Sequence, residues 1–108
     1  MISMGMGEYQ EEAKKTKLYP DKILYPMLGL VCEAGEVAQK VKRVILCGDD
    51  IDEETRSEIA DELGDVLWYI ANIADDIGYD LGAIALNNLS KVTKRKEEGK
   101  IIGWGDKR

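Results

Sequence analysis

The chain has 108 residues, 44% hydrophobic and 33% charged, with a net charge of −6. That describes one globular domain with room for a single core, not a disordered or fibrous chain. The acidic balance argues against a general nucleic-acid binder. The absence of histidine removes Ser-His-Asp and Cys-His catalysis and disfavours a zinc site.

In chain order, MISMGMG reads as a short leader, and EYQEEAKKTK predicts a first helix over about 6–16, ended by Tyr19-Pro20-Asp21. A second helix is predicted over about 22–46, with Pro26 tolerated in its first turns and Gly48 closing it. A third, about 53–77, takes Asp52 as its N-cap and Glu53 and Glu54 at its positive end, and stops at Gly78. Asp80 caps a fourth, about 81–97, and KIIGWGDKR (100–108) reads as a tail. The fold expected is therefore all-α, one domain over 1–108. With two cysteines and no span, secretory signal or lipidation motif, a cytoplasmic protein that meets no membrane is expected, with Cys32 and Cys47 as inert, reduced core residues.

The stretch EIADELGD (58–65) sets four carboxylates into eight residues of a helix that otherwise reads as buried, with no cation inside it. Like charges at helical-neighbour spacing cost roughly 0.2–0.5 kcal/mol per pair. On a 100° wheel, Met27, Leu30, Ala34, Val37, Val41, Val44 and Ile45 form one stripe of the second helix, edged by Glu33 and then Glu36. The third helix repeats this, with Ile59, Leu63, Val66, Ile70, Ile73 and Ile77 edged by Glu62 and then Asp65. A short turn makes the two helices antiparallel neighbours, so all four carboxylates are expected to converge across the seam. Oxygen-only ligands select a hard ion, Mg²⁺ with Mn²⁺ as a substitute. The plainer alternative is two solvated acidic pairs, with Glu36 bound to Lys40 at i+4.

On the fourth helix, Asn88, Lys91 and Arg95 share a face and form a candidate phosphate clamp. The alternative there is a basic last turn complementing the helix dipole. Tyr69, one turn after Asp65, is placed to contact a sugar or base, and Trp68 to pack at a helix or subunit interface. Leu24, Leu28 and Val31 on the second helix and Leu67 and Ala71 on the third lie round from the main stripes. This second apolar strip is expected to meet a two-fold partner.

GLVCEAGEVAQKVK followed by ADELGDVLWYIANIA resembles the MazG-like nucleotide pyrophosphohydrolases of the all-α NTP pyrophosphatase superfamily. The signature is E-x-x-E, a spacer, then E-x-x-D; here it is Glu33-x-x-Glu36, 25 intervening residues, and Glu62-x-x-Asp65. The Asn88-x-x-Lys91-x-x-x-Arg95 pattern is similar to the family's phosphate-side motif, and GWGDKR to its G-x-G-D tail. The resemblance implies a four-helix subunit assembling as a dimer or dimer of dimers. It also implies Mg²⁺-dependent hydrolysis of a nucleoside triphosphate to the monophosphate and pyrophosphate, as nucleotide-pool house-cleaning. In that frame Glu33, Glu36, Glu62 and Asp65 hold metal, and Glu33, or Glu36 close behind it, takes the proton. The rival function is a non-catalytic helical dimer that binds nucleotide or metal.

Overall fold

The computed structural model describes residues 3–48 and 50–99, and the expected tail 100–108 lies outside them. Among the described residues there are four helices and no strands: α1 (Met6–Lys14), α2 (Leu24–Cys47), α3 (Glu53–Asp76) and α4 (Leu81–Glu97). The ends follow their caps. Asp52 accepts from Thr55 N–H at 2.8 Å and Asp80 from Ala83 N–H at 2.9 Å, while Gly48 (φ 70) turns left-handed to close α2. α1 begins at Met6, where the first helix was expected to start.

The connector after α1 departs most from the sequence reading. The first helix stops at Lys14 instead of 16, where the Thr16 hydroxyl turns back onto the Ala13 carbonyl at 2.7 Å. The second starts at Leu24, after Ile23 in the left-handed region (φ 65), a strained place for a β-branched residue. Asp76, its side chain fully buried at the end of α3, over-determines that geometry. It accepts from Lys17 Nζ at 2.8 Å, Tyr19 O–H at 2.8 Å and Ile23 N–H at 3.0 Å. Lys17 also reaches Asp75 at 2.7 Å, offsetting two carboxylates at the negative end of a helix dipole.

The core sits between α1, α3 and the start of α4, with Ala13, Ala71 and Leu81 buried and Tyr9, Leu67 and Trp68 packed around them. Leu67 and Ala71 are thus covered by α1, within the chain, not by a partner. Gln10, also buried, bonds three backbone groups: it donates to the carbonyls of Ala71 (3.3 Å) and Tyr79 (2.9 Å) and accepts from Leu81 N–H (2.9 Å). One glutamine therefore ties α1 to α3 and to the first turn of α4.

Among the described helices, α2 packs against α3 alone, whereas α4 packs against α1 and α3 and not against α2. Gly29 lies against Tyr69, Glu33 against Glu62 and Asp65, and Lys40 against Glu58, so the two long helices run antiparallel. Two helices cover only a narrow seam. Leu30, Val37, Val41 and Val44 on α2 and Ile59, Val66 and Ile73 on α3 are half-buried, while Met27, Ala34, Ile45, Leu63, Ile70 and Ile77 of the expected stripes remain exposed. Cys32 and Cys47 are exposed free thiols, not core residues.

Candidate metal and nucleotide site

The seam delivers three of the four expected carboxylates. Oxygen atoms of Glu33, Glu62 and Asp65 lie within 4.8 Å of one another. Glu33 comes from the middle of α2, and Glu62 and Asp65 from adjacent turns of α3. Glu36 is exposed and lies toward a neighbouring hollow lined by Gln39, Lys40 and Arg43.

Electrostatics mark this as a cluster with more negative charge than its one nearby cation offsets. Burial pushes the Glu33 carboxyl above its ordinary value, and Glu62, Asp65 and Glu36 push it further in the same direction. Lys40 stands 4.0 Å from Glu62 and 3.3 Å from Glu58. It does not take the i+4 partner Glu36, since reaching across the seam brings it two carboxylates and buries its aliphatic stem. Arg43 joins Glu58 at 3.9 Å, so Glu58 is neutralised by cations of α2. No comparable cation meets Glu33 or Asp65 among the described ion pairs. Converging oxygen donors with net negative charge fit a hard divalent ion.

Beside the carboxylates lies an open cleft of about 360 Å³, lined by Glu33, Asp65, Trp68 and Tyr69, toward the lower end of the range for small-molecule sites. Burial pushes the Tyr69 phenol up, with Tyr25, Glu33 and Asp65 adding to the shift, so it stays protonated at neutral pH. Trp68 was expected only to pack, yet it also lines the cleft; its position three residues after Asp65, on the same helix face, was the signal for this. Its ring meets Tyr69 edge-on at 5.0 Å, and its indole N–H donates to Thr16 Oγ1 at 2.8 Å. Behind it, Tyr19 stands edge-on at 6.3 Å and stacks on Tyr25 at 5.7 Å.

Asn88 and Lys91 are exposed and Arg95 half-buried, all on α4. Since α4 has no contact with α2, a single chain does not bring them to the Glu33 side of the cluster.

The acidic cluster on two antiparallel helices, flanked by aromatic side chains, is a candidate site for a hard cation in an all-helical fold. The sequence profile of the MazG nucleotide pyrophosphohydrolase domain matches residues 24–99, and the chain belongs to that family. It is 39% identical over 114 residues to the Gene 37 protein of Mycobacterium phage L5, covering 97% of this chain and 100% of that protein. It is also 36% identical over 74 residues to the uncharacterized protein YvdC of Bacillus subtilis, covering 63% of this chain and 70% of that one. No solved structure matches the chain at a significant level. No helix among the described residues is long and apolar enough to cross a membrane.

Proposed function

We propose that residues 1–108 form one MazG-like domain that hydrolyses a nucleoside triphosphate, ribo or deoxy, to the monophosphate and pyrophosphate with Mg²⁺, in nucleotide-pool house-cleaning. The observation that carries this reading is the approach of Glu33, Glu62 and Asp65 within 4.8 Å beside an aromatic-walled cleft, in a chain of this family. These three residues would hold the ion, with Glu36 at the rim. When bound, Mg²⁺ supplies neutralisation of phosphate charge and a lowered pKa for water in the site.

The chain's own residues do the rest. Glu33, through a carboxylate oxygen left free of the ion, accepts the proton of the attacking water. Oxygen adds to the α-phosphorus, the bond to the bridging oxygen breaks, and pyrophosphate leaves. Tyr69 keeps its phenolic proton and offers a donor, and with Trp68 an apolar wall, to the sugar or base. Lys91 and Arg95, with Asn88, stabilise charge on the leaving pyrophosphate.

For those α4 groups to reach the phosphates, a second copy has to complete the site, and we propose a homodimer or a dimer of dimers. Leu24, Leu28 and Val31, 62%, 60% and 64% exposed on the uncovered side of α2, support this. Incubating the protein with each NTP and dNTP plus Mg²⁺ tests the chemistry. Monophosphate and pyrophosphate in equal amounts are expected; orthophosphate as the first product, or nucleotide binding without turnover, rejects it. Light scattering at micromolar concentration tests the assembly, which a stable, active monomer rules out.

A further inference from the structure

α2 and α3 contain three glycines, Gly29, Gly35 and Gly64. A Cβ built at Gly35 or Gly64 meets nothing within 4 Å. One built at Gly29 runs into the Tyr69 ring, overlapping Cε1 and Cζ and coming within 2.8 Å of the hydroxyl oxygen. Glycine inside a helix is destabilising relative to alanine, so the notch at Gly29 comes at a cost in helix stability, and the tyrosine ring occupies it.

The place of the notch matters. Gly29 precedes Glu33 by four residues, and Tyr69 follows Asp65 by four, so this contact crosses the α2–α3 seam one turn from the carboxylates. The ring has little freedom to retreat, because Trp68 stands edge-on at 5.0 Å and is itself held by the Thr16 hydroxyl. A methyl group at position 29 therefore leaves two outcomes. Either the ring swings into the cleft, or α2 moves off α3 and Glu33 parts from Glu62 and Asp65.

We propose that Gly29 is a positioning residue: it seats Tyr69 as the wall of the nucleotide cleft and so sets how closely the sugar or base end of a nucleotide can approach the carboxylates. This rests on the pyrophosphohydrolase reading above for its substrate, but not for its geometry.

The test is a double-mutant cycle of Gly29→Ala, Tyr69→Ala and the pair together, on the full chain. Gly29→Ala is expected to raise KM for the preferred nucleotide on the order of tenfold, the scale of a misplaced site wall, with a smaller change in kcat. In the Tyr69→Ala background the same change should alter KM less than about twofold, because the methyl then has nothing to meet. The near-ultraviolet circular dichroism of the Trp68–Tyr69 pair should change on Gly29→Ala and not in the Tyr69→Ala background. An equal loss in both backgrounds, or no loss in the single variant, overturns the proposal. If Gly29→Ala does not fold, the double variant has to fold; its failure too overturns the proposal. A wild type inactive on every nucleotide rejects the function, and the spectra then decide the geometry alone: identical spectra for wild type and Gly29→Ala overturn it.

Discussion

Removing two of the three clustered carboxylates while keeping their shape, by Glu62→Gln with Asp65→Asn, asks whether the cluster is built for a cation or for the fold. The three oxygens lie within 4.8 Å of one another, where each like-charge pair costs about 0.9 kcal/mol even at the dielectric of water. The double change deletes all three pairs, roughly 2–3 kcal/mol of repulsion before salt screening. Against this stands the loss of the 4.0 Å Lys40–Glu62 ion pair, worth up to about 1 kcal/mol. The metal-free variant should therefore melt no lower than wild type, and up to several degrees higher. Wild type should gain stability with millimolar Mg²⁺ by mass action, about 2.7 kcal/mol when the ion stands at a hundred times its Kd. The variant should gain nothing. Melting curves in chelator and in Mg²⁺ read both effects. A variant that melts many degrees below wild type in chelator would falsify the reasoning, because the carboxylates would then be structural.

Gln10→Ala strands the Leu81 N–H and removes the partner of two carbonyls; a loss of roughly 2–3 kcal/mol in denaturant midpoint stability is expected. Tyr19 is pushed up to about 12 by burial and by its bond to Asp76, against an ordinary value of 10.0. A raised folded value contributes stability that is complete below pH 10 and lost as pH climbs toward 12. Tyr19→Phe should therefore lower stability at neutral pH and make the alkaline decline shallower in a pH series of melts. Gly35→Ala meets open space and should raise stability by up to about 1 kcal/mol through helix propensity, seen as a higher melting temperature.

The helices were legible where capping is local. Asp52, Asp80 and Gly48 each act through a hydrogen bond or a dihedral within four residues, and the ends they mark are where the wheel and caps placed them. The connector was not legible, because its geometry is decided by Asp76, more than fifty residues further on. No local pattern announces that an isoleucine will adopt φ 65. Periodicity put Glu33, Glu62 and Asp65 beside the seam, where their oxygens lie together, but it gives Glu36 the same place on α2 that Asp65 has on α3, and of those two Asp65 joins the cluster. It also cannot tell which helix covers an apolar strip: Ala71 lies under α1, whereas Leu24 and Leu28, equally apolar in sequence, are left exposed.

That difference bears on the function proposed above. α2 carries Glu33, yet α3 is its one neighbour among the described helices, so the cluster is shielded on one side and open on the other. Charge stabilisation of a phosphate weakens steeply in open water, since the same ion pair that is worth about 4 kcal/mol at a surface dielectric near 20 falls to about 1 kcal/mol at 80. The cations suited to that task, Lys91 and Arg95, stand on a helix that does not reach α2. The uncovered strip of Leu24, Leu28 and Val31 lies on the helix that carries Glu33. A partner laid along it would cover apolar surface at roughly 25 cal/mol per Å². The same docking would exclude water from the side of the cluster that this chain leaves open. If the proposed function holds, folding and catalysis would make the same demand on this chain, a second helical surface against α2.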